Sequence, residues 1–290
     1  MKKLISLVLA LTCAAALLVG CGSDPSSAAG GSSAAGGSSA AAGRLSGTFG
    51  TNGSTSMESV IGGLSEAFMS ENSGVTVSYD PTGSGTGIQA VLDGTTDIGL
   101  SSRALKDEEK SEGLVETTVA LDGIAIIVNK DNPVENLSLE QIAGLATGEI
   151  TNWSDVGGSD AEVVMEGREA GSGTRDGFES IVGVEDACKY ANESTSTGAV
   201  IANVSSNANA IGYASLSAVE NDDTGKVLNS DGAAPSAGGG VDRSCKVPRP
   251  LPFRPKGGAA LGLVAQGFLL LATRAGAHGT IRGARSGPVS

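Results

Sequence analysis

The chain has 290 residues, 40% of them hydrophobic, which is enough for one large domain or two ordinary domains with their own cores. Its formal net charge of −13 argues against a nucleic-acid partner, and an aromatic content of 3% leaves little for stacking on bases or sugar rings. The 44 glycines are typical of a sheet-and-helix protein with many tight turns.

The first twenty residues have the composition of a targeting signal. Lys2 and Lys3 precede an apolar run, Leu4 to Val19, that ends in Leu-Val-Gly-Cys21. A span this short, flanked in this way, predicts a signal peptide over residues 1–20 rather than a transmembrane helix. The ending resembles the lipobox of bacterial lipoproteins, which implies that Cys21 is acylated and becomes the mature N-terminus. The alternative is an ordinary secretory signal that leaves Cys21 as a free thiol.

The next segment is almost entirely Ser, Ala and Gly, from Gly22 to Gly43. It has too little apolar bulk to fold, so we predict a flexible linker over residues 21–46. Together with an acylated Cys21, this linker would hold a domain at the extracytoplasmic face of the cell membrane.

Metal and cofactor sites are not indicated by the remaining Cys and His residues. Cys188 and Cys245 could pair outside the cytoplasm, although nothing in their spacing requires it. The chain has no Cys-x-x-Cys motif, and its single histidine, His278, lies near the C-terminus. We therefore expect no metal site and no cofactor.

After the linker, a short strand, a Gly/Ser-rich turn and a helix follow one another several times. The predicted strands are residues 47–50, 75–79, 97–100, 124–128 and 163–165, and the predicted helices are residues 57–70, a segment around 88–92, one opened by a capping box at Ser138, and one from about Asp176. This order predicts an α/β fold with mostly parallel strands, in which functional turns follow the carboxyl ends of the strands.

Three of these turns share one design, because each places hydroxyl groups and small residues at a predicted helix N-terminus. They are Ser54-Thr55-Ser56, Gly83-Ser84-Gly85-Thr86 and Gly171-Ser172-Gly173-Thr174. The first N–H groups of a helix are unpaired and its dipole favours negative charge, so the turns predict an anion site. For any single turn, the alternative is simply a capped helix after a Gly-rich loop.

Arg168 precedes the third turn and could give an oxyanion a bidentate, charge-assisted contact. The alternative is a surface ion pair with Glu166 or Glu169. The three turns do not match a nucleotide-binding loop, and the chain has no Gly-x-Ser-x-Gly elbow. We find no nucleophile with a base and no paired metal ligands, so we do not expect an enzyme.

Three stretches resemble landmarks of the phosphate-binding proteins of bacterial ABC importers. Gly148 to Gly158 reads Gly-Glu-Ile-Thr-Asn-Trp-Ser-Asp-Val-Gly-Gly, Arg168 to Arg175 reads Arg-Glu-Ala-Gly-Ser-Gly-Thr-Arg, and Ala210 to Tyr213 reads Ala-Ile-Gly-Tyr. The resemblance covers roughly Gly47 to Asp231. It implies a two-lobed periplasmic-binding-protein fold of type II, with each lobe a mostly parallel sheet flanked by helices, hinge strands between them, and a dehydrated phosphate clamped in the cleft.

The same resemblance implies which residues bind phosphate and which partners the protein has. The partners would be inorganic phosphate and ABC permease subunits, with the protein acting as a monomer. Carried over by position, the site residues are Ser54, Thr55, Ser84, Arg168, Ser172, Gly173 and Thr174.

One position departs from the family pattern. Well-known members have an aspartate that accepts a proton from phosphate, and this chain has Ser102 there, followed by Arg103. We keep Ser102 among the residues expected to bind phosphate and assign the proton acceptor to Asp122, with Glu169 as the reserve; the alternative is that Asp122 is an ordinary turn carboxylate. Arg103 is either a second cation of the site or a solvated surface charge.

The C-terminal region departs more widely. Residues 21–240 carry 31 acidic and 9 basic side chains, net −22, whereas residues 241–290 carry 1 acidic and 8 basic, net +7. The expected organisation is lobe I over 47–122, lobe II over 123–225, and a return to lobe I over 226–290. From about residue 240 the tail is atypical: it is either a damaged, partly frame-shifted segment or a genuine basic tail.

Three other functions remain open from the sequence. The first is a binding protein for another tetrahedral oxyanion such as sulfate or molybdate. The second is a phosphatase-like relative, and the third is an adhesive surface lipoprotein with a decayed site. In any of them, an anion site in so acidic a body has to work by local geometry rather than through a broad positive field.

Overall fold

The computed structural model describes residues 45–220, 222–234, 247–253 and 262–277. The predicted signal peptide, Cys21 and nearly all of the predicted linker lie outside these residues, as do Cys245 and His278. No helix in the described part of the chain combines the length and apolar character needed to cross a membrane.

The strands and helices follow in close alternation. In chain order the strands are β1 (Ser46–Gly53), β2 (Gly74–Pro81), β3 (Ile98–Leu100), β4 (Val115–Asp122), β5 (Ile124–Asn129), β6 (Asn136–Leu137), β7 (Val164–Arg168), β8 (Asn192–Ser194), β9 (Ala210–Ser215), β10 (Gly225–Val227), β11 (Asn229–Ser230) and β12 (Val247–Phe253). The α-helices are α1 (Glu58–Glu71), α2 (Ser84–Leu92), α3 (Asp107–Ser111), α4 (Leu139–Thr147), α5 (Gly173–Val182), α6 (Thr197–Ser206), α7 (Leu216–Val219) and α8 (Leu263–Ala277). Two short 3₁₀ helices span Thr55–Met57 and Trp153–Val156.

Two five-stranded sheets define two lobes. Lobe I contains the sheet β2-β1-β3-β12-β4 with α1, α2, α3 and α8, and lobe II contains the sheet β10-β5-β9-β7-β8 with α4 to α7. Strand β1 is parallel to β2 and β3, and β7 is parallel to β8 and β9. Strands β12 and β5 are antiparallel to their neighbours, so each sheet is mixed. The two-lobed α/β fold agrees with the prediction, with more antiparallel pairing than expected.

The chain enters lobe II at Gly123, between β4 and β5. It is still in lobe II after residue 226, because β10 pairs with β5 and β11 pairs with β6. The described chain rejoins lobe I at β12, which lies between β3 and β4. The return to lobe I therefore comes later than the expected residue 226.

Each lobe has its own aromatic core. In lobe I, Phe268 of α8 packs edge-on against Phe49 and Phe68, with ring centroids 5.1 and 5.6 Å away. In lobe II, Phe178 stacks on Tyr213 at 4.2 Å beside the buried Trp153. Full burial of such a side chain is worth about 1.5–3 kcal/mol. The described part of the atypical tail is therefore an integral part of the core of lobe I.

Strand β5 is covered on both of its faces, which explains its uniformly apolar sequence. Ile126 and Val128 pack into the core that contains Trp153, whereas Ala125 and Ile127 pack under α6 and α7 on the opposite face. Successive side chains of a strand point to opposite faces, so a strand covered on both sides has no polar position to spare. This confirms the interpretation of residues 124–128.

The helix starts follow from their caps. At α4, Ser138 Oγ accepts a hydrogen bond from Gln141 N (3.1 Å) while Gln141 Oε1 accepts one from Ser138 N (2.8 Å), the predicted capping box. At α5, Ser172 is the N-cap, and its Oγ accepts from Arg175 N at 3.3 Å. Helix α5 therefore begins at Gly173, three residues before the predicted start at Asp176.

Candidate anion-binding site

Four serine hydroxyls of lobe I form a hydrogen-bonded cluster. Ser54 and Ser56 follow β1, Ser84 opens α2, and Ser102 follows β3. Because β1 and β3 are parallel neighbours, their carboxyl ends lie at the same edge of the sheet, and Ser54 N donates to Leu100 O at 2.9 Å. We call these four residues the hydroxyl cluster.

Short contacts join the members of the cluster. Ser56 Oγ lies 3.0 Å from Ser54 Oγ and 2.6 Å from Ser102 Oγ, and Ser54 Oγ is also hydrogen-bonded to Ser102 Oγ. Ser84 Oγ accepts from Ser102 N at 3.0 Å. All four side chains are buried. Hydroxyl groups can donate or accept, so the cluster can turn its hydrogens toward an anion.

Lobe II contributes a buried guanidinium from Arg168, the last residue of β7. Its side chain is only 2% exposed. Nε donates to Ser194 O (3.1 Å), Nη1 to Thr197 Oγ1 (3.2 Å) and Nη2 to Thr195 O (3.2 Å). Its backbone N–H donates to the Tyr213 hydroxyl at 3.1 Å. Arg168 is therefore held in one orientation by neutral acceptors of lobe II.

Glu169 is the counter-charge of Arg168. Its carboxylate accepts from Arg168 Nη2 at 2.7 Å and from Nε at 3.2 Å, and the Glu169 side chain is 28% exposed. A side chain added at Gly83 would place its Cβ 3.4 Å from Glu169 Oε1, so Glu169 also faces the turn that opens α2. Arg168 is therefore paired with Glu169, but it is buried and is not part of a surface ion pair.

Glu166, the other candidate partner of Arg168, has different hydrogen-bond donors. Its buried carboxylate accepts from Asn192 Nδ2 (2.8 Å) and Asn203 Nδ2 (3.1 Å). Asn203 lies on α6, the helix that Thr197 opens. These bonds attach α6 to β7 and thereby help to set the position of Thr197 beside Arg168.

Four hydrogen bonds at the site cross from one lobe to the other. Thr55 Oγ1 lies 3.1 Å from Thr197 Oγ1 and accepts from Thr197 N at 3.2 Å. Thr174 Oγ1 donates to Ser56 Oγ at 3.4 Å, and Gly85 N donates to Gly171 O at 2.9 Å. The two lobes are therefore in contact around the hydroxyl cluster, with the cleft between them closed.

Gly173 occupies a place where a side chain does not fit. A Cβ there would lie 2.6 Å from Ser84 Oγ and about 3 Å from the backbone of Ser102 and Arg103. The backbone N–H groups at the start of α5 can approach lobe I this closely because residue 173 is glycine. The N-termini of α2, α5 and α6 and the Arg168 guanidinium all favour negative charge at this place.

Of the nine predicted anion-binding residues, the structure brings eight to the cleft. In lobe I these are Ser54, Thr55, Ser84 and Ser102, and in lobe II they are Arg168, Ser172, Gly173 and Thr174.

Asp122, the ninth, has a separate set of partners at the junction of β4 and β5. Its Oδ2 accepts from Ser217 Oγ at 2.6 Å, and its Oδ1 accepts from Gly123 N (2.8 Å) and Ser217 N (3.2 Å). These contacts tie the crossing between the lobes to the first turn of α7. The Asp122 carboxylate therefore accepts three hydrogen bonds at this crossing.

Thr197 and Tyr79 also contact this site, although neither is among the residues predicted from the sequence. Thr197 opens α6 behind the N-cap Ser196, so the Ser-Thr-Gly run before an apolar helix was an available signal. Tyr79 donates its hydroxyl to Ser54 O at 2.6 Å, and burial, aided by the charges of Glu58 and Asp80, raises the pKa of Tyr79 well above its ordinary value. Nothing local in the sequence distinguishes Tyr79 from an ordinary strand residue.

Comparison with known proteins identifies the family. A family model described as a PBP superfamily domain matches residues 38–247. The chain belongs to the PBP superfamily. The match includes all nine residues discussed above and every strand of the two five-stranded sheets except β12, of which it reaches only Val247.

The curated relatives of this PBP-superfamily chain carry a common name. The chain is 32% identical over 198 residues to the phosphate-binding protein PstS of Bacillus subtilis. The aligned residues make up 67% of this chain and 65% of that protein. The chain is 42% identical over 104 residues to phosphate-binding protein PstS 2 of Streptococcus agalactiae, which covers 36% of each. The chain thus spans between about one third and two thirds of the length of these relatives.

A solved structure extends the similarity to the fold. A crystal structure from Clostridium perfringens, described as a phosphate ABC transporter substrate-binding protein with bound phosphate, is 37% identical. Its TM-score is 0.72, and the match covers 78% of this chain and 92% of that one. The two-lobed α/β architecture of the PBP superfamily is thereby confirmed.

Proposed function

We propose that this protein captures inorganic phosphate outside the cytoplasm and delivers it to the permease subunits of an ABC importer. It acts as a monomer, without a cofactor and without catalysis. The observation that carries the proposal is the buried Arg168 guanidinium, which donates to Thr197 at the N-terminus of α6 and is connected through Thr197 to Thr55, between Ser54 and Ser56 of the hydroxyl cluster. The names of its relatives, which are phosphate-binding proteins, support the same ligand.

The chemistry of the cleft suits a dehydrated tetrahedral oxyanion. Such an ion loses its hydration shell on burial and needs donors around all four oxygens. Arg168 supplies charge-assisted bonds worth about 1.5–3 kcal/mol each, and neutral hydroxyl and N–H donors add about 0.5–1.5 kcal/mol each. We propose that the ion lies among Ser54, Thr55, Ser84, Ser102, Arg168, Ser172, Gly173 and Thr174, with Ser56 and Thr197 as further donors.

Selectivity for phosphate over sulfate requires a carboxylate. Both the monoanion and the dianion of inorganic phosphate carry a hydroxyl, which can donate a hydrogen bond to an ionised carboxylate, whereas sulfate presents only lone pairs. Two residues are candidates for this acceptor. Asp122 is the one assigned from the sequence, and Glu169 lies directly on the Arg168 guanidinium and faces the α2 turn.

Calorimetric titration with phosphate and with sulfate tests both the function and the acceptor. The wild-type protein should bind phosphate more tightly, because sulfate facing a carboxylate is repelled in a dry cleft. Glu169→Gln and Asp122→Asn are matched isosteric variants. The variant that removes the carboxylate acceptor should reduce the difference in affinity between phosphate and sulfate. A wild-type protein that binds sulfate as tightly as phosphate would favour a general oxyanion binder and contradict the proposal.

We also propose that Cys21 is acylated and tethers the protein to the extracytoplasmic face of the cell membrane. The supporting observation is the Leu-Val-Gly-Cys ending followed by the Ser/Ala/Gly linker. A single acyl chain binds a membrane only marginally, so stable anchoring needs more than one chain. Cys21→Ser should release the protein from the membrane fraction. If the variant stays with the membranes, the anchor lies elsewhere.

A further inference from the structure

Arg103 follows Ser102 directly and is anchored within lobe I. Its Nη2 lies 2.7 Å from Glu109 Oε1 and its Nη1 lies 2.8 Å from Glu109 Oε2. The Arg103 side chain is 11% exposed, which rules out a solvated surface charge. Because both carboxylate oxygens of Glu109 are engaged, the guanidinium is fixed in its plane against α3.

The same guanidinium reaches across the cleft to lobe II. Arg103 Nε lies 2.8 Å from Asp176 Oδ2, at an angle that makes the contact an ion pair rather than a linear hydrogen bond. Asp176 is in the first turn of α5, three residues after Gly173. Lys106 Nζ lies 4.0 Å from the same oxygen. Asp176 thus ties the helix that carries the lobe II turn to a rigid part of lobe I.

The charges around Arg103 are mutually supportive. Burial alone would lower the pKa of Arg103, but its contacts with Glu109 and Asp176 raise it above the ordinary value. Burial alone would raise the pKa of Glu109, but its hydrogen bond to Arg103 holds that pKa below the usual range. Arg103 therefore stays charged at neutral pH, as its ion pair with Asp176 across the cleft requires.

We infer that Arg103 and Asp176 form a latch that holds the cleft closed over its anion. The two residues act as positioning residues: they press the start of α5 against the Ser102–Arg103 backbone, where a Gly173 Cβ would already be too close. The hydroxyl and backbone contacts between the lobes are neutral, and the latch adds an ionic contact at their rim. The choice of phosphate as probe rests on the function proposed above; the latch itself does not.

The latch should act on release rather than on capture. Opening the cleft has to separate Arg103 from Asp176, whereas the open protein has no such pair to make before the anion enters. With purified full-length protein and inorganic phosphate, Asp176→Asn and Arg103→Gln should each speed dissociation about three- to tenfold and change association by less than about twofold. Arg103→Lys should rescue little, because one ammonium cannot hold Glu109 and reach Asp176 at once.

A double-variant cycle and a matched control isolate the pair. If the residues act through each other, Arg103→Gln/Asp176→Asn should release phosphate no faster than the single variants. Glu135→Gln removes the Lys226–Glu135 pair, which has a comparable separation of 2.9 Å but lies within lobe II, and should leave release unchanged. Raising the salt concentration should bring the wild-type release rate part of the way toward that of Asp176→Asn, because the Asp176 side chain is 32% exposed and its ion pair is partly screened.

Amide hydrogen exchange tests the latch without any ligand, because protection at a hydrogen bond that crosses the cleft reports the fraction of ligand-free molecules that are closed. Gly85 N donates across the cleft to Gly171 O, whereas Ser54 N donates to Leu100 O within lobe I. In Asp176→Asn, exchange at Gly85 should accelerate while exchange at Ser54 stays as in the wild type, which separates opening from loss of fold.

The possible outcomes are distinct. A wild-type protein that does not bind phosphate refutes the proposed function, and exchange at Gly85 then still decides the latch. Unchanged dissociation in both variants, additive effects in the double variant, or equal exchange at Gly85 in wild type and variant would each overturn the latch.

Discussion

The two lobes bring different chemistry to the cleft. Lobe I contributes the hydroxyl cluster from three turns that follow its strands, whereas lobe II contributes the Arg168 guanidinium. Lobe I is assembled from two separate stretches, residues 45–122 and the described part of the tail, whereas lobe II is one continuous stretch. Because its donor is charged and those of lobe I are neutral, we expect lobe II to supply most of the electrostatic attraction for an anion and lobe I to supply further hydrogen bonds.

The largest expected effect tests whether the lobes are independent units. Phe268→Ala empties a fully buried aromatic position in lobe I and should cost about 3–5 kcal/mol. The single tryptophan, Trp153, lies in the core of lobe II and so reports on that lobe alone. In a denaturant titration the variant should lose circular dichroism in an early phase while Trp153 fluorescence changes at the wild-type midpoint.

The matched variant in lobe II is Phe178→Ala, which removes the ring stacked on Tyr213. In Phe178→Ala the midpoints of the fluorescence and circular dichroism transitions should both shift to lower denaturant concentration. If Trp153 fluorescence follows the early phase in Phe268→Ala as well, the lobes unfold as one cooperative unit and the comparison fails.

The second prediction concerns the charge in lobe II. Arg168→Ala should weaken phosphate binding at least about tenfold, because a charge-assisted donor worth about 1.5–3 kcal/mol is lost. Arg168→Lys should restore only part of the affinity, since an ammonium does not reproduce the planar fork. Calorimetry is the measurement, and Lys130→Ala, at an exposed position of the same lobe, is the control. Unchanged affinity with an intact fold would return Arg168 to a purely structural role.

The third prediction concerns the neutral donors of lobe I. Ser102→Ala removes one hydroxyl from the cluster and should weaken phosphate binding about two- to tenfold, less than Arg168→Ala. The exposed Ser111→Ala in the same lobe should have no effect on affinity. A loss at Ser102 as large as the loss at Arg168 would mean that the two lobes share the attraction equally.

The smallest effect is spectroscopic and involves all three tyrosines. Burial raises the pKa of Tyr79 in lobe I and of Tyr190 and Tyr213 in lobe II, and Tyr213 rises from 10.0 to about 12. A group with a raised pKa stabilises the fold fully below its unfolded pKa, and that contribution is lost as the pH rises through the folded value. Stability should therefore fall between pH 10 and about pH 12.

Near-ultraviolet absorbance of the phenolates checks this prediction. The native protein should form little phenolate near pH 10, whereas the protein unfolded in guanidinium should titrate there. Tyr213→Phe should reduce the alkaline loss of stability. A native titration that matches the unfolded one would show that these hydroxyls are solvated.

The parts of the site that the sequence predicts well are local. The caps at Ser138 and Ser172 and the turns around Ser54 and Ser84 depend on residues within four positions of each other, and hydroxyls before an apolar helix mark such turns reliably. The contact of Thr55 with Thr197 joins residues 142 positions apart and depends on how the lobes close. No local pattern contains that information.

The tail shows a second limit. Strand β12 reads Val-Pro-Arg-Pro-Leu-Pro-Phe, and proline has no N–H to give to a sheet, so the sequence argues against a strand inside a sheet. The structure nevertheless pairs β12 with β4 along its length, with a register shift between Arg249 and Pro250. Here the pairing of β12 with β3 on one side and β4 on the other outweighs the poor strand preference of its prolines.

The position of β12 also has a consequence for the order in which the protein is made. Lobe II has its five strands as soon as residue 227 has been synthesised, so its sheet can form while the rest of the chain is still being translated. The first strand of lobe I, β1, is synthesised before any other strand. The sheet of lobe I is nevertheless complete only after residues 247–253, because β12 lies between β3 and β4. The sheet that carries the hydroxyl half of the cleft can therefore be completed only after all five strands of the arginine half are available to fold.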